Sequence, residues 1–167
     1  MQKLDITKKE YLLEDVKKLV DELQTKKIIS QKEAEAININ KVYQFTKTAL
    51  WNEIVQAKEV QREKPFYISI PAKKIYKENV KESEGALDEE IIVQGIVDLY
   101  YINNNNELIL VDFKTDYVPD NEELSLLDKY KSQLELYKKA LESAMGRKVD
   151  KVYIYSTFLN KEINMNS

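Results

Sequence analysis

Histidine and cysteine are both missing from this 167-residue sequence. Without histidine, Ser-His-Asp and Cys-His nucleophilic mechanisms and histidine-rich zinc sites are excluded. Without cysteine there is no disulfide framework, no thiolate zinc site and no cysteine-held iron–sulfur cluster. Glycine is scarce as well: Gly85, Gly95 and Gly146 stand alone, and no G-x-x-x-x-G-K-[ST] run is present to cradle a phosphate. This stretch of chain is therefore not expected to hydrolyse nucleoside triphosphates by itself. No apolar run approaches the roughly 18 residues of a membrane span, and the amino-terminal "MQKLDITKKEYLLEDVKK" lacks the apolar core of a signal peptide. Cytoplasm is the simplest compartment, with no membrane partner. A basic excess is missing too. At a net charge of −3, any polyanion has to be met by a local patch or through metal ions.

What is present divides in two. No glycine or proline precedes Pro65, and the first third has helical periodicity. Leu12, Val16, Leu19, Val20 and Leu23 recur at three- and four-residue intervals in "KKEYLLEDVKKLVDELQ". Ser30 with Glu33 three residues on is a capping box. One further helix is expected after Asn40, carrying Val42, Phe45, Leu50, Trp51 and Ile54. "VQREKPFYISIP" then alternates like a strand, with Pro65 favouring a sheet edge or a bulge. Residues 72–89 are polar and aperiodic, and are read as an exposed connection. Two strands are expected over 90–102 and 107–114 around the turn-prone "NNNN". A long amphipathic helix ends at Gly146, and "KVDKVYIYSTFL" and "KEINMN" supply two more strands. The fold class is α/β (α+β): a mixed sheet flanked by helices. A length of 167 residues suits a single domain, with 1–58 helical and 59–167 forming sheet and helix.

The stretch "VQGIVDLYYINNNNELILVDFKTD" holds Asp98, Asp112 and Lys114 inside otherwise apolar strands. Side chains alternate faces along a strand. Asp112 and Lys114 thus share a face with Leu108 and Leu110, while Asp98 is expected to share one with Gln94, Ile96 and Tyr100. An antiparallel hairpin can bring the acids together in two registers. Asp98 opposite Asp112 gives the connection Asn103–Glu107, and Asp98 opposite Leu110 gives Asn103–Asn105; both are common hairpin lengths. Two clustered carboxylates raise each other's pKa unless a cation sits between them. A hard divalent ion such as Mg²⁺, taking protein carboxylates plus water and phosphate, resolves that conflict. Such an ion activates water and polarises a phosphoryl oxygen. Lys114 would orient or deprotonate the attacking water, and the chemistry read from the set is metal-dependent phosphodiester hydrolysis. Spacing alone equally allows two strand-end acids on a solvated face with Lys114 in a surface ion pair. Gln133 and Tyr137, four apart, are neighbours on one helix face and can reach a phosphate or a base. Alternatively, Tyr130, Leu134, Tyr137 and Leu141 are a core stripe that Gln133 merely flanks.

Together, "QGIVD", "LVDFKTD" and "YKSQLELY" resemble the G-x-x-D, D-[YF]-K-T and Q-x-x-x-Y motifs of the RecB-family nucleases of the PD-(D/E)XK superfamily. "REKPF" and the "KTDYV" continuation are similar to the C-terminal nuclease domains of bacterial AddAB-type helicase–nucleases within that family. The resemblance implies a restriction-endonuclease-like fold and an Mg²⁺-dependent DNA exonuclease in double-strand break repair, with Mn²⁺ or Ca²⁺ able to replace Mg²⁺. It implies Asp98, Asp112 and the carbonyl of Phe113 as metal ligands, Lys114 as the catalytic lysine, and Gln133 and Tyr137 as active-site helix residues. Glu63 matches a glutamate with a supporting role. The implied partners are a DNA strand fed by a helicase, the rest of its own helicase chain and a protein of the AddB type. One departure stands out: the family usually adds an upstream histidine ligand, and this sequence has none. The chain is accordingly read as a C-terminal fragment that binds metal weakly and cleaves poorly or not at all alone. The rival readings are a catalytically silent nuclease-fold module for DNA or subunit contact and a stand-alone phosphoesterase.

Overall fold

The computed structural model describes residues 1–71, 89–119 and 123–165. The connection expected over 72–89 lies, apart from Glu89, outside the described residues. An irregular segment over residues 1–12 leads into α1 (Leu13–Thr25), α2 (Gln31–Ala36), α3 (Ile39–Phe45) and α4 (Ala49–Gln56). Then come β1 (Glu59–Pro71), β2 (Glu90–Ile102), β3 (Leu108–Lys114), α5 (Glu123–Met145), β4 (Lys151–Ser156) and β5 (Lys161–Asn164). The strands lie in chain order, antiparallel throughout except for the parallel β3–β4 pair, which α5 connects. This is the α+β mixed sheet that the sequence predicts, consistent with a nuclease-like fold.

Local chemistry sets the helix ends. Ser30 Oγ accepts the Glu33 amide at 3.2 Å while the Glu33 carboxylate accepts the Ser30 amide at 2.7 Å, so the expected capping box forms. The helix expected after Asn40 is in fact two. Thr46 and Thr48 turn their hydroxyls onto the carbonyls of Tyr43 and Phe45, and Thr48 Oγ1 then caps α4 by accepting the Trp51 amide at 3.1 Å. Such local side-chain bonds compete with the helical ladder and end it. Leu12 does not join the α1 stripe. It is the residue ahead of the helix, its amide bonded to the Asp15 carboxylate at 2.8 Å, and its side chain is exposed. Tyr11, Val16 and Val20 are the buried contacts instead.

The sheet separates two apolar layers. On one face, Tyr11, Val16, Phe45, Trp51 and Ile54 pack on Leu99, Tyr101, Ile109, Val111 and Tyr155. On the other, Leu126, Leu134 and Leu141 of α5 cover Val97, Tyr100, Leu108, Leu110, Val152 and Ile154. Strand β3 alternates between these layers as expected, but β2 does not. Val97 and Leu99 should share a face, yet they lie in opposite layers, so alternation breaks at Asp98. The cause is on the neighbouring strand. Arg62 pairs with Leu99 and Lys64 with Val97, which sets Glu63 across from Asp98, and Glu63 has a left-handed φ of 50°. Tyr100, expected to share a face with Gln94 and Ile96, therefore lies on the opposite one, the α5 side that Gly95 and Val97 also face. The lesion is a kink without an inserted residue, since the register is the same on either side. Among the described residues β1 pairs only with β2, the edge position that Pro65 predicts.

Gly95 locks this part of the sheet to α5. A Cβ there would lie 2.6 Å from the Phe66 ring and 3.4 Å from the Tyr137 ring, and those rings pack edge to face at 5.2 Å. Gly95→Ala should therefore cost about 1–3 kcal/mol through overpacking, seen as a lowered urea midpoint. Gly95→Ala combined with Phe66→Leu should recover part of the loss. An unchanged midpoint in the single variant would show that the ring contact is not a constraint.

Candidate active site

The β2–β3 connection decides which hairpin register forms. Asn103 Oδ1 accepts the amides of Asn105 and Glu107 at 3.0 and 2.9 Å, and Asn106 takes a left-handed φ of 62° that asparagine tolerates. This closes the five-residue connection Asn103–Glu107 between Ile102 and Leu108, which pair directly. The backbone ladder continues to Leu99 and Val111. One step further sets Asp98 opposite Asp112, the longer-loop alternative of the two. There the ladder gives way to a side chain: Asp98 Oδ2 accepts the Phe113 amide at 2.9 Å. Asp98 Oδ1 accepts the Gln2 side-chain amide at 2.9 Å.

Asp112 projects from β3 into the α5 side of the sheet, its side chain only 3% exposed. Lys114, on the same face and 14% exposed, brings its ammonium 2.7 Å from Asp112 Oδ2. The two groups form a buried ion pair, with the ammonium as the partner of Oδ2. Burial pushes the Asp112 carboxyl above the usual aspartate range, Lys114 pulls it back, and the nearby Asp98 charge pushes it further up. A carboxylate that is costly to ionise in this way is stabilised by any added cation.

Helix α5 holds the lysine in place. Lys114 Nζ donates to Gln133 Oε1 at 3.1 Å, and Gln133 Nε2 donates to the Tyr137 hydroxyl at 2.8 Å. The ammonium also lies 4.1 Å from the centre of the Tyr130 ring, whose hydroxyl donates to the Asp116 carboxylate. Leu134 and Leu141 are the buried stripe of α5. Its half-buried tyrosines carry polar ends into the site, so the helix is core and site at once. Phe113 faces the opposite layer, its ring edge-on to Phe45 and Tyr155, and only its backbone reaches the acids.

Asp98, Asp112, Lys114, Gln133 and Tyr137 thus gather at one end of the β2–β3 hairpin, with the Phe113 backbone between them. Glu63 stands beside Asp98 but turns to Lys3, with which it forms an ion pair. Sequence reasoning missed three participants. Gln2 reaches Asp98 from the irregular first segment, which Arg62 clamps by donating to the carbonyls of Gln2 and Leu4 at 2.6 and 2.5 Å. Tyr130 sits one helical turn before Gln133, a spacing that could have revealed it. The donor set is all oxygen, and the Asp112 carboxylate is made costly to ionise by burial and by Asp98, which fits a hard divalent cation such as Mg²⁺. Among the described residues no group of three or more acidic, histidine or cysteine side chains gathers as a metal cage. An ion here would rely on the two carboxylates, backbone oxygen, water and phosphate.

No protein-family model matches the chain. Curated relatives do. An AddA protein of the ATP-dependent helicase/nuclease from Thermoanaerobacter sp. (strain X514) is 39% identical over 158 residues, covering 95% of this chain and 12% of the relative. The proteins of the same name from Clostridium kluyveri and Clostridium acetobutylicum are 38% and 34% identical over 155 and 153 residues, covering 93% and 92% of this chain. The chain thus spans about one-eighth of the length of these relatives, 12% in each case. No helix among the described residues is long and apolar enough to cross a membrane. With the hairpin carboxylates, the lysine and the α5 residues in one place and similarity running through nearly the whole chain, this segment belongs to the AddA family of ATP-dependent helicase/nuclease proteins.

Proposed function

We propose that this chain is the nuclease domain of a longer helicase–nuclease polypeptide that hydrolyses phosphodiester bonds of a DNA strand as a metal-dependent exonuclease. In this reading the domain works in the cytoplasm in double-strand break repair and recombination. Its partners are the remainder of its own chain and a protein of the AddB type. The observation that carries it is the buried Asp112 carboxylate, paired with the Lys114 ammonium at 2.7 Å and pushed up in pKa by burial and by the neighbouring Asp98 charge. Nothing in the packing of an ordinary sheet requires that arrangement, and burying two acids and a lysine together is costly.

Asp98, Asp112 and the Phe113 carbonyl would hold Mg²⁺, with Mn²⁺ or Ca²⁺ able to replace it. Bound there, the ion would polarise the scissile phosphate and make its water more acidic. The chain's own groups do the rest. Gln133 and the Tyr130 ring fix the Lys114 ammonium, which holds the attacking water and offsets the charge that grows on the phosphoryl oxygens. The water oxygen bonds to phosphorus as the bond to the leaving sugar oxygen breaks; one proton leaves the water and one is returned to the leaving oxygen. Tyr137 keeps the Gln133 amide turned toward the lysine.

One observation favours a second reading, a catalytically silent nuclease-fold module for DNA or subunit contact. The chain has no histidine, and among the described residues only two carboxylates meet. Two measurements separate the readings.

The first is cleavage of an end-labelled single-stranded oligonucleotide with Mg²⁺ or Mn²⁺. The nuclease reading predicts cleavage that falls on the order of a hundredfold or more in Asp112→Asn and in Lys114→Ala. A smaller loss, about tenfold, is predicted for Gln133→Ala, which leaves the acids intact but frees the lysine. Equal rates in the wild type and Asp112→Asn would overturn the catalytic assignment.

The second is thermal unfolding with added Mn²⁺. At an ion concentration of about 100 times its Kd the stabilisation is about 2.7 kcal/mol, a rise in Tm of about 5–10 °C. The wild type should show it and Asp112→Asn should not. Ion-dependent stabilisation without cleavage would favour the silent module.

A further inference from the structure

A second constellation lies at the same strand ends as Lys114 but takes no part in the chemistry above. Tyr117, in the segment after β3, and Phe158, in the turn between β4 and β5, pack edge to face with centroids 4.7 Å apart and planes at 68°. They remain 74% and 38% exposed. Lys41 of α3 fixes the turn by donating to the Phe158 carbonyl at 2.6 Å, and its ammonium sits 4.6 Å from the Phe158 ring centre. Phe158 also borders a cavity of about 390 Å³ lined by Asn38, Lys41, Val42, Thr115 and Thr157 among others, with no carboxylate among the described lining residues. The cavity is tied to the site through the backbone: Thr115 follows Lys114, and the Thr157 amide donates to the Lys114 carbonyl at 2.8 Å.

We propose that the Tyr117–Phe158 pair, with Lys41 and the adjoining cavity, is a stacking subsite for an unpaired nucleobase of the DNA strand whose phosphate lies at Lys114. The inference rests on the nuclease reading and names the form of its substrate. The largely exposed Tyr117 ring, braced at an angle by Phe158, is a ready stacking face for a base, since every base has a flat apolar face and stacking is worth about 1–3 kcal/mol per base. Lys41 has ammonium protons beyond the one given to Phe158 and supplies the positive charge that a flanking phosphate needs. Amide and hydroxyl groups of Asn38, Thr115 and Thr157 give a base edge partners without demanding one sequence. Bases inside a duplex cannot use the platform, because both their faces are already stacked. The subsite therefore selects single strands at the point where Lys114 meets the backbone.

The test is an aromatic-region NMR titration of the chain in EDTA, with a five-nucleotide oligothymidylate and with an abasic pentamer of the same phosphate count. The oligothymidylate should move the Tyr117 and Phe158 ring signals upfield, and the abasic strand should leave them in place. Tyr117→Ala should weaken oligothymidylate binding about fivefold to a hundredfold, while Tyr117→Phe, which keeps the stacking face, should retain it. Equal effects of the two pentamers, unchanged affinity in Tyr117→Ala, or no oligothymidylate binding would each overturn the proposal. The nuclease reading fails separately. Ring shifts in a chain whose cleavage does not depend on Asp112 would leave the subsite standing on a non-catalytic module. Asp112-dependent cleavage without ring shifts would remove the subsite alone.

Discussion

A carboxylate sealed into a sheet needs a counter-charge, and the arrangement around Asp112 follows from that need. Its nearest positive group is Lys114, two residues along the same strand and on the same face. Lys114 is itself largely buried, so it too needs partners, and it finds them in the Gln133 carbonyl and the Tyr130 ring. Gln133 in turn engages Tyr137, and Tyr137 packs on Phe66 over Gly95. One buried charge thus adds a polar tie between α5 and the sheet to the apolar packing of Leu126, Leu134 and Leu141. The chain of contacts runs from chemistry to packing without a break, and an ion pair so deep is costly to keep unless it serves more than stability.

The other acid is placed by a different device. Asp98 stands where β2 leaves β3 and where Glu63 on β1 takes a left-handed turn. The kink swaps the two faces of the outer hairpin, sending Val97 toward α5 and Leu99 toward the amino-terminal helices. At this break the Asp98 carboxylate caps the Phe113 amide and receives Gln2. Both acids therefore meet in the gap between two strands, one rigid by burial and one held by hydrogen bonds.

Much of this was legible in the sequence because period and polarity report on layers. The helical opening, the hairpin, the α5 crossover and the common face of Asp112 and Lys114 follow from spacing alone. The hairpin register did not. Two loop lengths were open, and the choice fell to the Asn103 side-chain bonds and the left-handed Asn106. The break between α3 and α4 hid in two threonines that a hydrophobic pattern passes over. The common face of Gln94, Ile96 and Tyr100 was misread because strand alternation presumes regular backbone, and a glutamate at positive φ carries no signal in a single sequence. Gln2 and Arg62 lie far along the chain from the residues they serve, so only tertiary packing reveals them.

The central claim is that Asp98 and Asp112 together hold a divalent cation. Anomalous diffraction from crystals grown with Mn²⁺ tests it most directly. The account predicts a strong anomalous peak within bonding distance of an oxygen from each of the two carboxylates. A well-formed site with both carboxylates in place and no peak at saturating Mn²⁺, or a peak bound elsewhere on the chain, would contradict it.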